Sequence, residues 1–259
     1  MKLRIRADLT YRFEPPTHAV FKIQPAVWPG LTVLEERLVT TPDVSFREDV
    51  DPDSGARTLR GALQGQVAVS YEALVDNGLL LDMPSGLPQH DWTELPPEVL
   101  TWLWPSRYCP SDQFVRFAQR EFADTTGSAR MHAILDWIAG HIDYVPGVSG
   151  VETTAARTFI DRAGVCRDFT HLGITLARAS GIPARAVSAY AHQLQPPDFH
   201  AVFEVFLANS WWLVDATRLA AVEGMVRIAC GHDAADIAFL STQGWAELVS
   251  QSVTVAAAG

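Results

Sequence analysis

The chain has 259 residues, 48% of them hydrophobic and 19% charged, which is the make-up of a globular protein long enough to bury its own core. Thirty acidic residues against 20 basic ones leave a net charge of −10, the wrong sign for gripping the phosphates of duplex nucleic acid. No stretch approaches the roughly 20 apolar residues that cross a bilayer, so neither a nucleic-acid nor a membrane partner is expected.

The opening MKLRIRADLTYRF alternates charged and apolar residues as a strand does and has no apolar core of a secretory signal. Further strand-like runs follow to about residue 82 (HAVFKIQPA, LTVLEERLVT, VSFREDVD, RTLRGAL, GQVAVSYEALVD), punctuated by PP, PG and DPDSG. Short strands at this spacing predict an antiparallel β-sandwich-like or barrel domain over residues 1–90. DPDSGARTLRG has the acidic spacing of a calcium loop without the acidic twelfth position, and it reads as a turn between strands.

Residues 83–97, MPSGLPQHDWTELPP, are rich in proline and turn formers and read as a linker to a second domain spanning 98–259. Helical patterns come next. ELPPEVLTWLW begins with prolines, SDQFVRFAQREFA with a Ser-Asp cap, and SARMHAILDWIAGHI spaces Met131, Ile134, Leu135 and Ile138 for one face. TTAARTFIDRAG predicts a fourth, short helix.

A fifth helix is predicted in CRDFTHLGITLARASG, with Phe169, Leu172, Leu176 and Ala179 on one face and Gly181 as its stop. The period then changes to two through ARAVSAYA, HAVFEVFL and SWWLVDAT, so this second segment is α+β.

Cys166 falls in the first turn of the fifth helix, where the helix dipole and unpaired N–H groups favour a thiolate and can cradle an oxyanion. A nucleophilic thiolate needs a base, and the base needs an orienting partner. His200 opens one strand and Asp215 closes the next, which an antiparallel hairpin brings to one edge of a sheet. A tight turn centred on Asn209 would set Asp215 nearer Ala201 or Phe203 than His200, so this register calls for a bulged hairpin. Cys109 and Cys230 have no local base and read as buried bystanders, as Trp211 and Trp212 read as core. His171, five residues beyond Cys166, points about 140° away around the helix. Three scattered cysteines without a CxxC pair fit a reducing, cytoplasmic setting, with no disulfide framework and no metal site.

The phrases TTAARTFIDRAGVCRDFTHL, GIPARAVSAY, DFHAVFEVF and WWLVDATRL resemble the bacterial transglutaminase-like superfamily of papain-type cysteine enzymes, over roughly residues 98–245. The resemblance implies an α+β, papain-like core preceded by a β domain. It makes Cys166 the nucleophile, His200 the general base and acid, and Asp215 the residue that orients the imidazole. The implied chemistry is acyl transfer through a thioester on a peptide, protein or small amide, without metal or cofactor. Hydrolysis by a cysteine peptidase or amidase is the leading expectation, cross-linking by a transglutaminase the second, and a non-catalytic binding module with a vestigial cleft the third. Three further positions stay open: Tyr144 as a second oxyanion donor or a loop-packing residue, Asp168 as a site residue or a helix-dipole partner, and Glu204 as a cleft residue or a solvated one.

Overall fold

The structure is a computed structural model that describes residues 1–258. Its elements in chain order are β1 (Lys2–Phe21), β2 (Thr32–Thr41), β3 (Arg47–Val50), β4 (Arg57–Asp76), α1 (Pro97–Leu100), α2 (Val115–Glu121), α3 (Gly127–His141) and β5 (Asp143–Tyr144). They continue with α4 (Ala155–Asp161), β6 (Ala163–Gly164), α5 (Cys166–Ala179), β7 (Ala184–Ala191), β8 (Phe199–Leu207), β9 (Ser210–Val214), β10 (Met225–Gly231), α6 (Ala234–Ile237), β11 (Leu240–Thr242) and β12 (Glu247–Ala257).

Alternation dictates the first sheet. In β1, Leu3, Ile5, Ala7, Leu9, Tyr11 and Phe13 are buried, while Lys2, Arg4, Arg6 and Arg12 are not. β1 and β4 are 20 residues each and pair antiparallel along their length, and they carry β2 and β3 on one side and β11 and β12 on the other. The expected run of short strands is therefore a six-stranded antiparallel sheet built on two long ones. Its last strands come from the far end of the chain: β12 pairs with β1 from Leu3 opposite Ala257 to Arg12 opposite Glu247. The DPDSG turn joins β3 to β4, with the Asp51 carboxylate accepting the N–H groups of Asp53 and Ser54 at 2.8 and 3.0 Å.

The second sheet has the order β10-β7-β8-β9 and is antiparallel throughout. On one side Phe203, Val205 and Leu207 of β8 join α3 and α5 in a common core. Tyr190, Phe199, Val226 and Ile228 join the core of the six-stranded sheet, so this sheet is buried between two layers. Residues 83–97 are strapped onto the helical layer: Ser128 N donates to Leu87 O at 3.0 Å, and the Gln89 amide to Ser180 O at 3.1 Å.

The helices begin and end close to expectation, except that α1 gives way to a short 3₁₀ turn at residues 101–103 and α2 is led by another at 111–114, after Pro110. α5 differs more. Its apolar positions suggest one buried face, yet every residue from Asp168 to Ala179 is buried. The polar side is met by polar loops: the Arg178 guanidinium donates to the carbonyls of Ala184, Trp104 and His232. Gly173 lets α5 sit on β8, because a Cβ there would come within 2.6 Å of the Phe203 ring. The helix closes in a Schellman pair, Ile182 N to Ala177 O and Gly181 N to Arg178 O, both 2.9 Å.

Candidate active site

Cys166 is held by the architecture of its own helix start. The Asp168 carboxylate reaches back to the Val165 N–H at 2.8 Å, the acidic half of a capping box, and is itself completely buried. Gly164 makes room for it, since a Cβ there would meet the Asp168 Cβ at 2.6 Å. Arg167 closes over the same carboxylate at 3.0 Å and ties Gly150 O at 2.7 Å, anchoring the loop after β5 to the helix. Asp168 therefore sets the backbone on which Cys166 stands. Of its two open readings, the structure places it at the helix start.

His200 and Asp215 come from adjacent strands. The β8–β9 turn uses Ala208 and Asn209, both in the left-handed region (φ 50° and 60°), as a two-residue hairpin turn does. The ladder runs from Leu207 opposite Ser210 to Phe203 opposite Val214. One further step sets Asp215 opposite Val202, on the same strand face as His200 and diagonal to it. The bulge expected from a turn centred on Asn209 is thus unnecessary: the turn is centred half a residue earlier, and that shift moves Asp215 to the face of His200. The side chains close the diagonal, with His200 Nε2 at 2.9 Å from Asp215 Oδ2.

Both residues are buried, and their surroundings decide their charge. Burial works against the imidazolium, but the hydrogen bonds to Asp215 and to the Cys166 thiol, with the charges behind them, prevail and push His200 up to about 9. Burial likewise opposes the Asp215 carboxylate. The His200 hydrogen bond and charge, together with donation from the Thr217 hydroxyl and N–H at 2.7 and 2.8 Å, hold it below its ordinary value. The Ala220 N–H adds a contact at 3.2 Å, so the carboxylate is fully engaged and its orientation fixed. With Nε2 taken by Asp215, Nδ1 is the ring nitrogen left for the half-buried Cys166 thiol.

Tyr144 stands on the other side of Cys166, carried there by the short parallel pairing of β5 with β6, in which Tyr144 lies opposite Gly164. Its hydroxyl lies close enough to Cys166 for both the sulfur and the backbone N–H to act on it. Burial first, and then the nearby sulfur, raise the hydroxyl above its ordinary value. Two donors, a backbone N–H and a phenol, consequently converge beside the sulfur.

The remaining candidates separate cleanly. Glu204 is neither a cleft residue nor a solvated one. It is fully buried and held between Arg185 at 2.8 Å and Arg227 at 3.0 Å, with the Arg185 guanidinium 4.0 Å over the Trp211 ring. The strand alternation assigns its face correctly, but that face four residues along from His200 is covered. Cys109 is completely buried, which pushes its thiol up to about 12, and burial raises Cys230 as well. His171 accepts the Ala234 N–H at 3.1 Å and stacks on Tyr108, and burial pushes it down to about 4. The buried Arg178 and the Thr217 support of Asp215 went unnoticed in the sequence; an arginine inside an otherwise apolar helical stretch was the one signal for the former.

The family model of the transglutaminase-like superfamily matches residues 116–216, a span that contains Cys166, His200 and Asp215. The crystal structure of a candidate cysteine protease from Cytophaga hutchinsonii superposes with a TM-score of 0.94 at 37% identity, over 99% of this chain and 90% of that one. An uncharacterized protein of Mycobacterium leprae is 26% identical over 258 residues, or 92% of this chain and 91% of its own. The chain belongs to the transglutaminase-like superfamily.

Proposed function

We propose that the protein is a cysteine-dependent acyl-transfer enzyme that hydrolyses a peptide or amide bond, with Cys166, His200 and Asp215 as its catalytic residues. The observation that carries this reading is the position of His200, bonded through Nε2 to a carboxylate at 2.9 Å and placed with its other face toward a thiol at a helix start. The likeness to the Cytophaga protein, named as a candidate cysteine protease, supports the same reading.

In this mechanism the Cys166 proton rests on His200 Nδ1, the Cys166 Sγ lone pair attacks the carbonyl carbon, and the displaced π electrons go to the carbonyl oxygen. That oxyanion is received by the Cys166 N–H and the Tyr144 hydroxyl. Collapse expels the amine, which takes its proton from His200 Nδ1, and a thioester remains. Water then gives a proton to His200 and attacks the thioester, releasing the carboxylic acid and restoring the thiolate–imidazolium pair. Asp215 keeps the ring in line throughout and balances the imidazolium.

The test is turnover of peptide and carboxamide substrates by wild type, Cys166→Ala and His200→Ala, with products read by mass spectrometry. Carboxylic-acid products that vanish in both variants support the proposal. Wild-type rates in either variant remove that residue from the mechanism, and amine adducts formed in preference to acids when a primary amine is added move the assignment to cross-linking.

A further inference from the structure

The edge of β12 that faces away from β1 has no strand partner among the described residues. Edges of this kind are ordinarily guarded by charges or proline. Here the strand carries no charged residue from Leu248 to Ala257, and Leu248 and Val249 are exposed. Val249 is the extra residue of a bulge, between the partners of Thr10 and Tyr11, which turns this part of the strand outward.

Two hollows of ≈310 and ≈440 Å³ lie along the same strand, the first from Thr254 and Val255 and the second from Leu248 and Val249. They share Pro197, Asp198 and Val253, so they form one trough whose outer wall is the loop leading into β8. Asp198 is the single carboxylate in its walls and stands two residues before His200. Its Oδ1 accepts the Phe199 N–H at 2.7 Å and the Gln251 amide at 2.5 Å, joining β12 to the strand that carries the imidazole.

We infer that this trough is the substrate subsite, taking a peptide in extended form along the free edge of β12, with Asp198 selecting a lysine or arginine side chain. An uncharged, exposed strand edge offers main-chain hydrogen bonds to an added strand, and a single carboxylate supplies the sign of charge that the added strand should carry. Beyond Val253 the Val255 carbonyl is engaged by His192 Nδ1 at 3.3 Å, so the free length from Leu248 to Val253 accommodates about six extended residues at roughly 3.3 Å each. The inference rests on the proposed peptide-directed activity, and its test is a binding measurement that stands apart from turnover.

The probes are two fluorescein-labelled peptides of about ten residues, one alternating lysine with alanine and the other glutamate with alanine. They are added to the full chain carrying Cys166→Ala, and binding is read by anisotropy and by amide hydrogen exchange. The lysine peptide should bind about tenfold or more tightly than the glutamate peptide and protect amides within residues 248–255. Asp198→Asn keeps an acceptor for the Phe199 N–H and should erase most of that preference. Asp124→Asn, the same change of charge in the turn between α2 and α3, should preserve it. Equal binding of the two peptides, preference unchanged in Asp198→Asn, or protection elsewhere overturns the inference. So does protection of 248–255 that grows with protein concentration and needs no peptide, since a second copy would then occupy the edge. Wild type that binds the lysine peptide in the trough but leaves it uncleaved overturns the proposed activity and not the subsite.

Discussion

His200 and Asp215 meet across the diagonal of the β8–β9 hairpin, Nε2 to Oδ2 at 2.9 Å, and no bulge is needed to bring them together. The carboxylate is locked by Thr217 and Ala220, so the ring has one orientation that satisfies it.

Replacing Asp215 with Asn keeps a hydrogen-bond acceptor and removes the charge that supports the imidazolium. Activity in Asp215→Asn should fall about 10- to 100-fold, or ~1.4–2.7 kcal/mol of barrier, while Asp215→Ala should lose more. The His200 titration, followed by NMR of the labelled imidazole, should move down from about 9 in both variants. An unmoved titration would show that Asp215 does not act on the ring.

Tyr144→Phe removes the phenol donor beside the Cys166 N–H and leaves the ring in its tilted contact with Phe169. Loss of one such donor costs on the order of 10²-fold in kcat, with little change in KM when the contact forms only in the transition state. A pure KM effect would make Tyr144 a substrate contact instead.

His171 is a buried base held neutral, and it sets an acid limit on stability. Its folded value of about 4 lies below the ordinary 6.5, so the unfolded chain binds the extra proton as pH falls below 6.5. Stability from this group is complete above 6.5 and declines toward 4, by about 2 kcal/mol between pH 7 and pH 5. Thermal unfolding of His171→Gln should be less sensitive to pH over that interval than wild type; equal sensitivity would place the acid limit elsewhere. His200 has the opposite sign, contributing fully below 6.5 and fading as pH rises through about 9.

Glu204→Gln should destabilise the fold by about 3–5 kcal/mol, because Arg185 and Arg227 would be left as buried charges without their carboxylate. Activity per folded molecule should stay near wild type, measured well below the melting temperature. A selective loss of turnover in a stable variant would return Glu204 to the site.

Much of this site was legible because each reactive group lies at the end of a strongly patterned element. Cys166 precedes a helix marked by Phe169, Leu172 and Leu176, and the helix is observed from Cys166 itself. His200 and Asp215 bracket a hairpin whose strands alternate clearly. The register is not legible because half a residue of turn placement slips the pairing by one residue and reverses a strand face, and nothing in LANSWW distinguishes a centre at Asn209 from one between Ala208 and Asn209. Glu204 was misplaced for a different reason: alternation assigns a face but not what covers it, and here two arginines do. The pairing of β12 with β1 joins residues more than 230 positions apart in sequence, and local pattern carries no trace of such a contact.

The central claim is that Cys166 and His200 form a thiolate–imidazolium pair in the resting protein. The direct measurement is the rate of iodoacetamide alkylation at Cys166 as a function of pH, read by peptide mass spectrometry on wild type and His200→Ala. Because the imidazolium persists up to about 9, the wild-type rate should remain high well below pH 7 and collapse in the variant. Rates that follow an ordinary thiol titration alike in both proteins would contradict the pair, and with it the assignment of His200 as the base.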